Sequence, residues 1–142
     1  MLERQAASAS NRLQYLLDSD WIIGALRGVP SATEAIDRLR DSGIGVSIIV
    51  LGELYDGAVL APESAERLAG IRGYIANLPL VDLSDEVMEV FARNRAGLRV
   101  SGQRWPNLDL LIAATALVHD LVLMTRNVRQ FERIPDLKIY RT

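Results

Sequence analysis

The feature that most constrains this chain is a set of short apolar runs at which helical periodicity stops. They are Gln14–Leu17, Val46–Ser47, Leu80–Leu83, Leu121–Thr125 and Leu137–Tyr140. Apolar residues follow one another in them instead of alternating with polar ones, which marks strands buried on both faces. The segments between carry helical signals. Asp20 or Ser19 caps Trp21–Leu26, and Ser31 opens a helix to about Asp41, which Gly43 and Gly45 break. Ser47 caps Ile48 to about Val59, Pro62 starts a helix to about Asn77, Ser84 caps Asp85–Leu98, and Pro106 starts Asn107–His119. Helices that separate doubly buried strands predict an α/β fold, three layers deep, with a central mostly parallel sheet of four to five strands.

The chain has 142 residues, 49% of them hydrophobic and 24% charged, which suits one ordinary globular core. Residues 14–142 read as that single domain and residues 1–13 as a polar extension with no assigned function. There is no cysteine, which excludes disulfides, thiolate catalysis and cysteine-ligated zinc. The single histidine, His119, excludes a histidine-rich metal site and falls where a cation favours a helix C-terminus. No apolar stretch reaches the roughly 20 residues of a membrane span, and the N-terminus lacks a secretory core. A cytoplasmic chain with no membrane contact is the expectation.

Chemistry is concentrated in three carboxylates. Asp18 ends the first buried strand, where open α/β sheets bind ligands, although Asp18 or Asp20 could instead cap the next helix. Glu53 shares a helix face with Ile49, Val50 and Gly57, and a carboxylate there needs a cation, an arginine partner or a rim position. Asp109 lies in the first turn of a helix that is apolar nearly all round, where it either serves the helix dipole or joins a site. Strand ends in a parallel sheet fall on one edge, so the three would gather and repel unless a cation sat among them. Oxygen ligands without His or Cys point to Mg²⁺ or Mn²⁺.

Net charge is −2, against a protein that coats DNA through bulk charge. Yet 15 of the 16 basic residues are arginine. Arg93, Arg95, Arg99 and Arg104 follow one another with no intervening acid, and Arg126, Arg129, Arg133, Lys138 and Arg141 crowd the C-terminus. Guanidinium forks suit phosphate oxygens, while solvated helix faces explain either cluster equally well.

Three blocks bring a family into view. YLLDSDWII (15–23) is a hydrophobic strand, an Asp, and then an apolar helix. SIIVLGELYDGA (47–58) is a Ser-capped helix carrying Glu53, and PNLDLLIAATALVHDLVLMTRNVRQFERIPDLKI (106–139) joins Asp109 to a polar cluster at Thr125 and Asn127. Over about residues 14–140 the chain resembles the PIN-domain ribonucleases, and within them the VapC-type toxins of toxin–antitoxin pairs. The resemblance implies Asp18, Glu53 and Asp109 as Mg²⁺ ligands and Asn127 as a fourth catalytic position. It implies endonucleolytic cleavage of RNA, often tRNA or rRNA, by metal-activated water attack on phosphorus, leaving a 5′-phosphate and a 3′-hydroxyl. It also implies a homodimer, for which an apolar helix face from Leu54 to Leu60 is available, and a small antitoxin that occludes the site. Many relatives carry an Asp near Asn127 or Gln130. Both are amides here, which leaves three carboxylates and leaves open one ion or two.

Two other functions fit parts of the sequence. A PIN fold kept as an RNA- or protein-binding module fits the missing fourth carboxylate. A haloacid-dehalogenase-type phosphatase fits Leu16-Leu17-Asp18-Ser19-Asp20, with Asp18 as nucleophile and Asp20 as general acid, but the sole lysine, Lys138, lies near the end of the chain.

Overall fold

The computed structural model describes residues 12–142. Most of the expected 1–13 extension lies outside the described residues. Leu13, at the end of that extension, packs against the core, so the folded chain begins earlier than expected.

Five strands form one sheet: β1 (Tyr15–Leu17), β2 (Ile44–Ser47), β3 (Leu80–Val81), β4 (Val122–Met124) and β5 (Lys138–Ile139). Their order is β3-β2-β1-β4-β5, and every pairing is parallel. Among the described residues seven α-helices connect and flank them: α1 (Ser19–Leu26), α2 (Pro30–Leu39), α3 (Ile48–Val59), α4 (Ser64–Ile75), α5 (Asp85–Val100), α6 (Asn107–Val118) and α7 (Val128–Phe131). Neighbouring strand residues point to opposite faces. Leu16 and Leu17 are nonetheless both fully buried, as are Leu123 and Met124, so helices cover the sheet on both sides. This is the expected three-layer α/β/α arrangement.

Several elements differ in detail from their sequence reading. Gly45 does not break structure but sits inside β2, because a Cβ there would meet the Leu13 side chain at 2.7 Å. Gly43 does make a turn, at φ +96° and with the Arg12 carbonyl 2.5 Å from where a Cβ would lie. Pro30, not Ser31, opens α2. The segment after Pro62 stays a turn until α4 begins at Ser64. Helix α7 has no counterpart in the sequence pattern, since four residues are too few to display a period.

Ser47 and Ser84 cap α3 and α5 as expected, accepting hydrogen bonds from the Val50 and Val87 amides at 3.1 and 3.2 Å. Helix α6 is enclosed: Leu110, Ile112, Ala113, Ala114 and Ala116 are all buried, as its all-round apolar surface requires. On the face from Leu54 to Leu60, Leu54 and Ala58 turn into the core while Val59 and Leu60 stay exposed.

The register decides where chemistry can occur. Leu17 pairs with Val46 on one side and with Met124 on the other. The next residues along, Asp18, Ser47 and Thr125, therefore stand in one row at the carboxyl edge of the sheet. The chain runs outward from β1 through β2 to β3, then returns to place β4 on the other side of β1. That reversal opens a crevice beside β1.

Candidate active site

Asp18 stands at the crevice and is held from two directions. Its Oδ1 accepts from the Ser19 amide at 2.8 Å, making Asp18 the N-cap of α1. Its Oδ2 accepts from the Thr125 hydroxyl at 2.7 Å. The backbone ties the same strands together, with the Asp18 amide donating to the Met124 carbonyl at 2.9 Å. Of the caps the sequence offers, Asp18, Ser19 or Asp20, it is Asp18 that caps, and Asp20 reaches across the crevice to accept from the Arg126 amide at 3.0 Å. Each carboxylate oxygen has a second acceptor direction, so a capping Asp18 remains able to bind a cation.

Glu53 projects from the second turn of α3, which packs against both α1 and α6. Its Oε1 is buried and has no hydrogen-bond partner. Burial, followed by the charges of Asp18 and Asp109, pushes its carboxyl up to about 7, against a smaller opposing effect of Ser19. Burial pushes Asp18 up to about 6. The Asp20 charge adds to that, the Thr125 and Ser19 bonds oppose it, and Asp109 adds a little more. Asp20 is also raised, mainly by burial, while the Arg126 amide pulls the other way.

Asp109 lies in the first turn of α6, half-buried, and accepts from the Gln130 side-chain amide at 3.2 Å. The Asn127 side chain donates to the other end of Gln130, and the Asn127 amide donates to the Thr125 hydroxyl at 3.1 Å. Thr125, Asn127 and Gln130 thus form a polar chain that touches Asp18 at one end and Asp109 at the other. Asn127 meets neither carboxylate itself. Sequence reasoning missed that Gln130 is the residue bonded to Asp109. The available signal was the family resemblance, which places an Asp of many relatives near Asn127 or Gln130.

The charges of the expected trio reach one another, for Asp109 adds to the raised proton affinity of Asp18, and Asp18 and Asp109 add to that of Glu53. None is in an ion pair among the described residues. Nor do three acidic or imidazole side chains there already close round a single point. A buried oxygen without a partner, with like charges near it and no ion pair among the described residues, fits a hard divalent ion.

The PIN domain family profile matches residues 15–137. This chain belongs to the PIN-domain family. Within it, the chain is 33% identical over 129 residues to the tRNA(fMet)-specific endonuclease VapC of Salmonella typhimurium, covering 89% of this chain and 96% of that protein. It is 34% identical over 128 residues to ribonuclease VapC10 of Mycobacterium tuberculosis, covering 87% of this chain and 90% of that one. Among solved structures, VapBC2 from Rickettsia felis bound to a promoter DNA fragment superposes with a TM-score of 0.85 at 26% identity, covering 90% of this chain and 98% of that one. The DNA-bound VapBC of Salmonella typhimurium gives 0.83 at 30% identity, with 90% and 97% covered. Membership in the PIN family replaces the haloacid-dehalogenase reading, and Asp20, bonded to the Arg126 backbone, is not needed as a general acid. Among the described residues no helix is long and apolar enough to cross a membrane.

Proposed function

We propose that this PIN-domain chain is a Mg²⁺-dependent endoribonuclease, able to use Mn²⁺, and the toxin of a toxin–antitoxin pair acting in the cytoplasm. The observation that supports the reading is the unpartnered, buried Glu53 oxygen, which feels the charges of Asp18 and Asp109, with none of the three in an ion pair among the described residues. The relatives' names as ribonucleases and endonucleases support an RNA substrate, with tRNA or rRNA as candidates.

Asp18, Glu53 and Asp109 would hold the ion. When bound, it supplies positive charge to the scissile phosphate and makes water a stronger acid. The chain's own residues do the rest. The Thr125 hydroxyl fixes the outer oxygen of Asp18, and the Gln130 amide fixes Asp109, so both carboxylates are oriented before substrate arrives. Asn127 holds Gln130 and Thr125 in register with each other.

An apolar cleft of about 400 Å³ supports the antitoxin partner. Ile23, Leu26, Leu54, Ala58 and Ile71 line it, Arg27 and Arg67 flank it, and it ends at Glu53. An amphipathic segment laid there would cover the carboxylates. Exposed Val59 and Leu60 give a homodimer an apolar contact.

The test is cleavage of total tRNA and rRNA by purified chain. Wild type with Mg²⁺ should cut, chelation should stop it, and Asp18→Asn or Asp109→Asn should be inert. If either variant cuts as wild type does, the assignment is wrong. If wild type neither cuts RNA nor binds Mg²⁺ at millimolar concentration, the fold is a binding module.

A further inference from the structure

A second cleft, of about 450 Å³, lies between α5 and the start of α6 and has the opposite chemistry to the apolar one. Arg95, Arg99 and Arg104 line it, with Gln103, Trp105 and Asn107. All three arginines are exposed, and among the described residues none is paired with a carboxylate. Arg93, on the same helix but outside the cleft, is held by Glu89 at 2.8 Å. The other basic cluster is mostly engaged. Lys138 pairs with Asp120, Arg141 pairs with Glu132, and Arg126 stacks on Trp21 at 4.4 Å.

The walls of the cleft are built rather than incidental. Arg95 donates to the Asn107 side chain at 3.2 Å. The Gln103 oxygen accepts from the Trp105 indole at 3.4 Å and from Arg133 at 3.2 Å. Trp105 packs edge-on against Phe131, with ring centroids 5.9 Å apart. Phe131 belongs to α7, whose Gln130 grips Asp109. One short segment, Gln130 to Arg133, thus touches a candidate catalytic carboxylate at one end and the rim of the cleft at the other.

We infer that the cleft of Arg95, Arg99 and Arg104 is a subsite for backbone phosphates of the RNA strand flanking the bond to be cut. Three unpaired guanidinium groups around a polar hollow bind phosphodiester oxygens in forked geometry. The link through α7 sets the strand's position relative to Asp109. Trp105 serves as wall rather than stacking platform, since its ring and its N–H are both engaged within the protein. The inference rests on the reading of this chain as an RNA-cleaving enzyme, and an acidic protein or a second copy of the chain would be the alternative occupants.

The experiment measures binding of a fluorescent single-stranded RNA oligonucleotide to the full chain in EDTA, over a range of salt concentrations. Single strands lose about 0.7 in the slope of log affinity against log salt for each phosphate contact removed. Arg99→Gln and Arg104→Gln should each lower the slope by about that much and weaken binding on the order of tenfold. Arg93→Gln removes the same charge outside the cleft and should leave the slope unchanged. Arg99→Lys and Arg104→Lys should restore the slope and only part of the affinity, and they stand in should a glutamine variant fold poorly. Unchanged slopes, equal losses in all three glutamine variants, no RNA binding by wild type, or a changed oligomeric mass in light scattering would each overturn the subsite. Cleavage by Asp18→Asn in Mg²⁺ is scored separately. It sinks the nuclease assignment whatever the slopes show, and the slopes judge the cleft whatever that variant does.

Discussion

Two groups of carboxylates in this protein contrast with each other. Glu63, Glu89, Asp120 and Glu132 lie on the surface, each beside an arginine or lysine and more than 45% exposed. Asp18, Glu53 and Asp109 lie in the crevice beside β1, partly or fully buried and beside one another. Water screens the surface pairs, so each contributes little and costs little. Asp18 and Glu53 are less screened and in no ion pair among the described residues, and their raised proton affinity makes their charged forms a destabilisation of the metal-free fold. That contrast supports the crevice as the proposed site of chemistry.

The sharpest way to break that contrast is to remove crevice charge. Asp18→Asn and Asp109→Asn should each cut the rate of RNA cleavage by more than roughly 100-fold in a gel assay, beyond what loss of an outer partner costs. Thr125→Val and Gln130→Ala should cost less, about 10–100-fold, because each loosens a carboxylate without deleting it. Loss from Thr125→Val should exceed that from Gln130→Ala, since the Thr125 hydroxyl also accepts from the Asn127 amide.

The crevice should also oppose stability, and pH exposes this. Asp18 and Glu53 bind protons more tightly folded than unfolded, with folded values near 6 and 7. The stability these two groups contribute to the metal-free protein is then fully present below about pH 4 and is lost as pH rises through 6 and 7. Glu53→Gln should raise the melting temperature in EDTA at pH 8, by roughly 3 °C per kcal/mol of repulsion removed, with the gain shrinking toward pH 4. The smallest effect belongs to the surface. Arg93→Gln breaks an ion pair between side chains that are 77% and 61% exposed, and should change stability by less than about 0.5 kcal/mol in a denaturant titration.

How much the sequence reveals depends on the physical range of each interaction. Strand identity and sheet class are legible because the doubly apolar runs at Leu16-Leu17 and Leu123-Met124 can only be buried. Ser47 and Ser84 are legible because capping is local. The carboxylates are legible individually, as charges in apolar settings, and the family resemblance groups them. Gly45 looks like a helix breaker because the group that forces a glycine there, the Leu13 side chain, lies over 30 residues away. Which of Asp18, Ser19 and Asp20 caps is not legible, because Arg126, which claims Asp20, comes from the far end of the chain. The amide chain through Gln130 is hidden for the same reason: hydrogen bonds between α6 and α7 leave no periodicity in the sequence.

The most direct measurement of the central claim is thermal unfolding of wild type and Asp18→Asn during a Mg²⁺ titration at pH 6 and pH 8. Ligands that release protons bind better as pH rises, so wild type should gain melting temperature saturably and more strongly at pH 8, while Asp18→Asn should gain almost nothing. A wild type that ignores Mg²⁺ at both pH values, or a variant that responds as fully as wild type, would contradict it.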